Sequence, residues 1–248
     1  MAAHLMTAQP SRARLAAALV VGAACLGACS ALPGPPAPVP SSVLAPVAAP
    51  TTPADLSPDG FDDAHRATVR LLSIRCGELA TGSGFAIDAH TLVTARHVVG
   101  DAREVRISTY DGHDLTSSGS ATAPDADLAI VRTDAPLPAS LPLADADPQV
   151  GDAVHVVGYP KGDALTVTSG HVTGERKDPL DVNAEPVLVA DATVEPGSSG
   201  SPVLDDDDAV VGVVYAKGTN DTTFFVPVST LRAMLDDEDS LVPTTACG

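Results

Sequence analysis

One short segment restricts this chain more than any other, because it places a serine among glycines. Residues 195–202 read EPGSSGSP, and apolar residues flank the segment on both sides. A serine hydroxyl is a poor nucleophile unless a base and a pocket of N–H donors lie beside it. Glycines let the backbone turn sharply enough to present such donors, here around Ser199. The same composition is typical of an ordinary turn between strands, so the segment alone leaves both interpretations open.

The order of possible partners along the chain narrows the choice. All seven histidines precede Ser199, which excludes the α/β-hydrolase order, where the histidine comes last. The order His, Asp, Ser stays open. His97 follows the apolar run that begins at Leu92, and Asp127 opens the apolar run that ends at Val131. These two residues are the candidate partners of the serine.

Four segments in this order resemble the motifs of trypsin-like serine peptidases of the chymotrypsin fold. They are Gly82–Ile87, Thr94–Val98, Asp127–Ile130 and Gly197–Pro202. The short separations are most similar to the compact bacterial high-temperature-requirement branch, and we expect no PDZ domain after the peptidase. The resemblance implies an all-β fold of two six-stranded antiparallel β-barrels with a C-terminal helix and an active site between the barrels.

The resemblance also implies a role for each residue of the site. Ser199 would attack a carbonyl, His97 would accept and return the proton, and Asp127 would orient the imidazole. The N–H groups of Gly197 and Ser199 would form the oxyanion hole. Two other functions stay open: a catalytically silent relative that binds peptides, and an esterase-like acyl hydrolase with the same triad. We expect no cofactor and no metal site.

The substrate pocket is the next expectation from the resemblance. Its base would be Thr193, and its wall would be the strand residues Val214, Tyr215 and Ala216. Because none of these carries a charge, we expect cleavage after small or medium apolar residues rather than after Lys, Arg or Glu. Asp191 would change this preference if its carboxylate entered the pocket.

The hydrophobic pattern predicts short strands separated by turn residues. We expect the first barrel at about residues 61–135, the second at about 143–227 and a helix at about 229–238, in which Ser229 is placed to cap the N-terminus. The predicted strands are Thr68–Arg75, Gly84–Ile87, Thr91–Ala95, Glu104–Thr109, Asp114–Ala121, Leu128–Arg132, Ala153–Gly158, Ala164–Thr173, Val187–Ala192, Ser201–Leu204, Val210–Tyr215 and Thr222–Val226. The peptidase domain as a whole would span residues 61–248.

The N-terminal region reads as an export signal followed by a tether. Residues 1–29 combine arginines with a short apolar run and end in LGAC, which resembles a bacterial lipobox with Cys29 as the lipidated residue. An ordinary signal peptide cleaved nearby is the alternative. Residues 30–60 are rich in Pro and Ala and predict a disordered tether. We expect an exported protein, held on the extracytoplasmic face of the membrane through Cys29 or secreted.

The net charge indicates which partners to expect, and the cysteines indicate a disulfide. The formal net charge of −18 argues against binding to nucleic acid, so the expected partners are protein or peptide substrates, and a monomer is favoured. Cys76 and Cys247 remain after either route of processing, and in an oxidising compartment we expect them to form a disulfide. Two free buried thiols are the alternative.

Overall fold

The computed structural model describes residues 59–245. The predicted leader with Cys29, nearly all of the tether and Cys247 lie outside these residues. Within the described part, no helix is long and apolar enough to cross a membrane.

The first half of the described chain forms a closed antiparallel barrel. Its strands are β1 (Thr68–Ile74), β2 (Leu79–Ala86), β3 (Thr91–Thr94), β4 (Glu104–Ser108), β5 (Asp114–Thr122) and β6 (Ala129–Thr133). The strand order is β5-β4-β1-β2-β3-β6, and β5 also pairs with β6, with Ala121 opposite Ile130, which closes the barrel. The alternation of apolar and polar residues in β4 buries Val105 and Ile107 and leaves Arg106 exposed, as expected for strands with one face on a core.

The second half forms another closed antiparallel barrel. Its strands are β7 (Ala153–Gly158), β8 (Thr166–Arg176), β9 (Val187–Ala190), β10 (Pro202–Leu204), β11 (Val210–Lys217) and β12 (Thr223–Pro227). They follow the order β10-β11-β12-β9-β8-β7, and β10 returns to β7 with Val203 opposite Val156. The first six residues of β11 are all buried, so this strand runs through the centre of the packing.

Three α-helices, two short 3-10 helices (Pro160–Gly162 and Glu238–Ser240) and one short strand complete the described fold. Helix α1 (Asp63–Ala67) precedes β1, helix α2 (Arg96–Val99) is a single turn after β3, and helix α3 (Val228–Asp236) follows β12. Strand β13 (Val242–Pro243) returns to the first barrel and pairs with the end of β5. The predicted fold class of two six-stranded barrels with a C-terminal helix is confirmed.

The predicted cap of the last helix is wrong. Pro227 occupies the N-cap position and makes no side-chain cap. Ser229 instead donates its N–H and its hydroxyl to the carboxylate of Asp147, at 2.8 and 2.6 Å. Asp147, in the connector between the barrels, therefore accepts a hydrogen bond from an N–H group of the first helical turn, as the side chain of an N-cap residue would.

Candidate active site

His97 is placed by the single turn α2 at the end of β3. Val98 and Val99 of this turn are buried in the first barrel, so their packing fixes the turn and directs His97 outward. The His97 side chain is 49% exposed, whereas that of Asp127 is only 6% exposed. The imidazole therefore faces solvent on one side and a buried carboxylate on the other.

Both oxygens of Asp127 bind the same residue. Oδ2 lies 2.7 Å from Nδ1 of His97, and Oδ1 accepts the His97 N–H at 2.9 Å. Because a carboxylate only accepts hydrogen bonds, Nδ1 carries the proton and the neutral ring presents Nε2 as a base. Asp127 itself is held at its N–H by the side-chain oxygen of Asn183, at 2.8 Å.

The loop that carries Ser199 is turned by two glycines with positive φ, Gly197 at 99° and Gly200 at 86°. The turn is closed by hydrogen bonds from the Ser198 N–H to the Glu195 carbonyl and from the Ser201 N–H to the Ser198 carbonyl, at 2.9 and 3.0 Å. Among the hydrogen bonds of residues 59–245, the N–H groups of Gly197 and Ser199 have no acceptor. Both are therefore available to a ligand oxygen.

Ser83 of β2 attaches this loop to the first barrel. Its N–H donates to the Ser199 carbonyl at 2.8 Å, and its hydroxyl donates to the Gly197 carbonyl at 2.9 Å. The same hydroxyl accepts the N–H of Tyr159 at 2.9 Å. The glycine-rich segment around Ser83 was recognised in the sequence, but this role of its serine was not.

Gly200 brings the serine loop against the segment that leads to His97. A Cβ atom at Gly200 would lie 2.1 Å from the Ser83 carbonyl oxygen, 2.3 Å from Thr94 Oγ1 and 3.0 Å from the Ala95 N. Only a residue without a side chain fits at this distance. The structure thus brings the loops of Ser199 and His97 into direct contact, with one candidate residue in each barrel.

The residues predicted for the substrate pocket fall into two groups. Thr193 is exposed and lines a cavity of about 150 Å³ with Gly158, Glu195 and Ser198. The other three, which lie on β11, do not line this cavity: Val214 and Tyr215 are buried and Ala216 is half-buried.

Two charged residues near this region are held in place. Oδ1 of Asp191 accepts the N–H of His171 at 2.6 Å, so its carboxylate is bound on β8. The Nζ atom of Lys217, at the end of β11, lies 2.8 Å from Oε1 of Glu195. This ion pair joins β11 to the start of the serine loop.

A second buried carboxylate, Asp178, lies in the loop between β8 and β9. Burial would raise its pKa, but hydrogen bonds from the Tyr215 hydroxyl and from loop N–H groups outweigh burial and lower the pKa to about 2. Burial, followed by the bond to Asp178, raises the pKa of Tyr215. Asp178 is therefore ionised, and Tyr215 protonated, at neutral pH. Neither Asp178 nor Asn183 was predicted as a site residue from the sequence.

Two further predictions touch the described residues only in part. Cys76 is exposed just after β1, and its predicted partner Cys247 lies outside the described residues. No group of three or more His, Cys, Asp or Glu side chains within residues 59–245 is arranged to hold a metal ion.

Comparison with known proteins gives consistent matches. A family model described as "Trypsin-like peptidase domain" matches residues 82–213, which is more than half of the chain. "Serine protease HTRA2, mitochondrial" of Bos taurus is 36% identical over 165 residues, which are 63% of this chain and 36% of that protein. A "Probable periplasmic serine endoprotease DegP-like" of Brucella suis is 34% identical over 170 residues, which are 64% of this chain and 33% of that protein. The chain therefore spans about a third of the length of these relatives.

Solved structures agree on the fold. The Rv3671c protease from M. tuberculosis in its active form superimposes with a TM-score of 0.64 at 24% identity and covers 88% of this chain and 97% of that one. The HtrA-type protease AlgW with tripeptide gives a TM-score of 0.61 at 24% identity, and the match covers 70% of this chain and 60% of that one.

Two closed barrels, with a histidine–aspartate pair on the first and a glycine-flanked serine on the second, define the class of chymotrypsin-fold proteins. Within this class, the match over residues 82–213 is decisive. The chain belongs to the family of trypsin-like peptidase domains.

Proposed function

We propose that this protein is a serine endopeptidase that cleaves peptide bonds through an acyl-enzyme intermediate. The observation that carries the proposal is the His97–Asp127 pair: Nδ1 lies 2.7 Å from a buried carboxylate and the ring is half exposed. This arrangement fixes the tautomer in which Nε2 is a base. The contact between the loops of His97 and Ser199 supports the assignment of Ser199 as the nucleophile.

The proposed reaction proceeds in two halves. Nε2 of His97 takes the proton from the Ser199 hydroxyl while its oxygen attacks the substrate carbonyl, and Asp127 stabilises the imidazolium that forms. The N–H groups of Gly197 and Ser199 stabilise the oxyanion, and each such donor contributes on the order of 3 kcal/mol to the transition state. The imidazolium then protonates the leaving amine. A water molecule, activated by the same histidine, releases the acyl group from Ser199.

Ser199→Ala tests the proposal, with Ser198→Ala as the matched control on the neighbouring residue. The Ser198 side chain makes only a long contact, 3.5 Å from the Glu195 N–H to its hydroxyl. We expect Ser199→Ala to abolish labelling by a fluorophosphonate and to reduce kcat by about 10⁶-fold, whereas Ser198→Ala keeps both within a small factor of the wild type.

Peptide and ester substrates, assayed in parallel, distinguish the three candidate functions. Cleavage of both, lost in Ser199→Ala, is the expected result for an endopeptidase. Ester cleavage alone would point to the esterase-like alternative. A wild-type protein that neither labels nor cleaves, yet binds peptides, would overturn the proposal in favour of a silent relative.

Finer points of the proposal concern location and covalent structure. The relatives named periplasmic endoproteases support export, and the lipobox-like leader supports a lipid anchor at Cys29.

The Cys76–Cys247 disulfide is supported by the path of the C-terminal segment, which runs along β5 with a 2.9 Å hydrogen bond from the Thr244 N–H to the Ser120 carbonyl. Thr244 lines one groove with Arg103, whose N–H binds the Ile74 carbonyl two residues before Cys76.

A further inference from the structure

The loop between β8 and β9 is organised around one buried carboxylate. Asp178 is 4% exposed and accepts five hydrogen bonds. The donors are the N–H groups of Leu180, Val182 and Asn183, the side-chain amide of Asn183 and the hydroxyl of Tyr215, at 2.6–2.9 Å. Bonds to an ionised acceptor are roughly twice as strong as neutral ones. The negative charge of Asp178 is therefore stabilised by hydrogen bonds from neutral donors, and Asp178 forms no ion pair among the described residues.

One arm of this network leads to the nucleophile. The hydroxyl of Tyr215 donates to Oδ1 of Asp178 at 2.6 Å. The preceding residue, Val214, accepts the Gly200 N–H at 2.7 Å and donates its own N–H to the Ser201 carbonyl at 3.0 Å. Gly200 and Ser201 directly follow Ser199. The position of Tyr215 on β11 is thus linked to the position of the serine loop.

The other arm leads to the histidine. Oδ2 of Asp178 accepts both the N–H and the side-chain amide of Asn183. The amide's remaining polar atom, Oδ1, accepts the Asp127 N–H. Asp127 in turn binds His97 through both of its oxygens. The same loop also meets the residue next to His97, because the Arg96 side chain donates to the Val182 carbonyl at 3.1 Å.

We propose that Asp178 is a positioning residue that holds the His97–Asp127 pair of the first barrel in register with the Ser199 loop of the second. It touches neither substrate nor reacting atoms, and it acts through Asn183 on one side and Tyr215 on the other. This inference rests on the proposed peptidase function and deepens it. It assigns a specific task to a loop that carries none of the family's motifs.

The charge of Asp178 is required because all of its partners are donors. An asparagine offers one oxygen in place of two, so its NH₂ group would face either Leu180 N–H or the three donors at Oδ2, and a donor cannot bind another donor. Asp178→Asn therefore keeps the size of the side chain, sets its NH₂ group against at least one donor of the loop, and removes the charge that strengthens both arms. We expect kcat on a peptide substrate to fall at least tenfold, with KM changed less than threefold.

A spectroscopic measurement separates positioning from a general loss of stability. The proton that His97 Nδ1 shares with Asp127 should give a downfield proton NMR signal in the wild type, and we expect this signal to shift or broaden in Asp178→Asn. Tyr215→Phe removes only one hydroxyl and should lower kcat by a smaller factor. Combined with Asp178→Asn, it should add less than its own effect, since both changes weaken the same hydrogen-bond network.

Asp205→Asn is the matched control. Oδ1 of Asp205 also accepts two loop N–H groups, those of Asp207 and Ala209, in a turn of the second barrel. We expect Asp205→Asn to leave kcat and the His97 NMR signal unchanged. If Asp178→Asn does not fold, Tyr215→Phe tests the same connection. An unchanged kcat and an unchanged His97 signal in folded Asp178→Asn or Tyr215→Phe would overturn the inference. If the wild type proves inactive, the proposed function fails, and the NMR comparison alone decides the role of Asp178.

Discussion

The ionised state of Asp178 makes the stability of this protein depend on pH in a defined way. Its ordinary pKa is 3.8, and in the folded state the pKa is lowered to about 2. A carboxyl group with a lowered folded pKa contributes stability that is fully present above its unfolded pKa. That contribution is lost as the pH falls from about 4 through about 2.

The size of the effect follows from the shift. Each pKa unit corresponds to 1.36 kcal/mol, so a shift of nearly two units contributes about 2 kcal/mol to the free energy of unfolding at neutral pH. Because the residue is 4% exposed, solvent does little to weaken the bonds that produce this shift. Asp178→Asn mimics the protonated form and lacks this pH-dependent part at every pH.

Urea unfolding of two proteins gives the measurement. Both carry Ser199→Ala, which prevents self-digestion, and one also carries Asp178→Asn. We expect the difference in unfolding free energy between them to shrink by about 1.5 kcal/mol between pH 6 and pH 2.5, because protonation of Asp178 in the folded state is still incomplete at pH 2.5. Other carboxyl groups titrate in both proteins, so their effects cancel in the difference. A difference that stays constant over this range would refute the reasoning, because Asp178 would then have no special stabilisation of its charged form.

Four further predictions concern other parts of the chain. Gly112→Ala, at positive φ but with no atom within 4 Å of its added Cβ, should cost about 1–2 kcal/mol of backbone strain and keep fluorophosphonate labelling. Gly200→Ala should destabilise the fold by more than that, because its Cβ also clashes with the Ser83 carbonyl and Thr94, and should abolish labelling. Alkylation of the unreduced, denatured protein should leave Cys76 and Cys247 unmodified, and two alkylated thiols would exclude the disulfide. Cys29→Ala should release the protein from membranes or block its processing, and unchanged mass and fractionation would count against lipidation. A peptide-library profile should favour Ala, Val or Leu before the cut, and a preference for Lys, Arg or Glu would show the pocket assignment to be wrong.

Most strands were predictable from the sequence because their apolar residues follow local patterns, although β2 begins at Leu79, five residues before the predicted Gly84. The run VVGVVY of β11 is β-branched and apolar, and all of its residues are buried. Glycine and proline mark the turns between such runs. The pairing of strands and the closure of each barrel came from the resemblance to a family and not from the pattern.

The support around the triad could not be predicted, because its contacts join distant parts of the chain. Asp178 lies 37 residues from Tyr215, and Asn183 lies 56 residues from Asp127. No periodicity links such positions, and a buried Asp in a loop has the same sequence appearance as a solvated one. The misplaced cap at Ser229 has a similar cause, since the competing carboxylate of Asp147 is 82 residues away.

Strand β13 has a consequence for the order in which the molecule can be completed. It covers the edge of β5 at Ala121 and Thr122, in a barrel whose other strands all lie before residue 134. Until residues 242–243 arrive, that edge presents unpaired backbone groups, and such an edge can pair with another chain. A chain emerging N-terminus first therefore exposes this short edge of the first barrel throughout the synthesis of the second. The first barrel is completed only when β13, the last strand to be synthesised, pairs with β5. Any truncation before β13 should therefore leave a protein with a free edge and a tendency to aggregate.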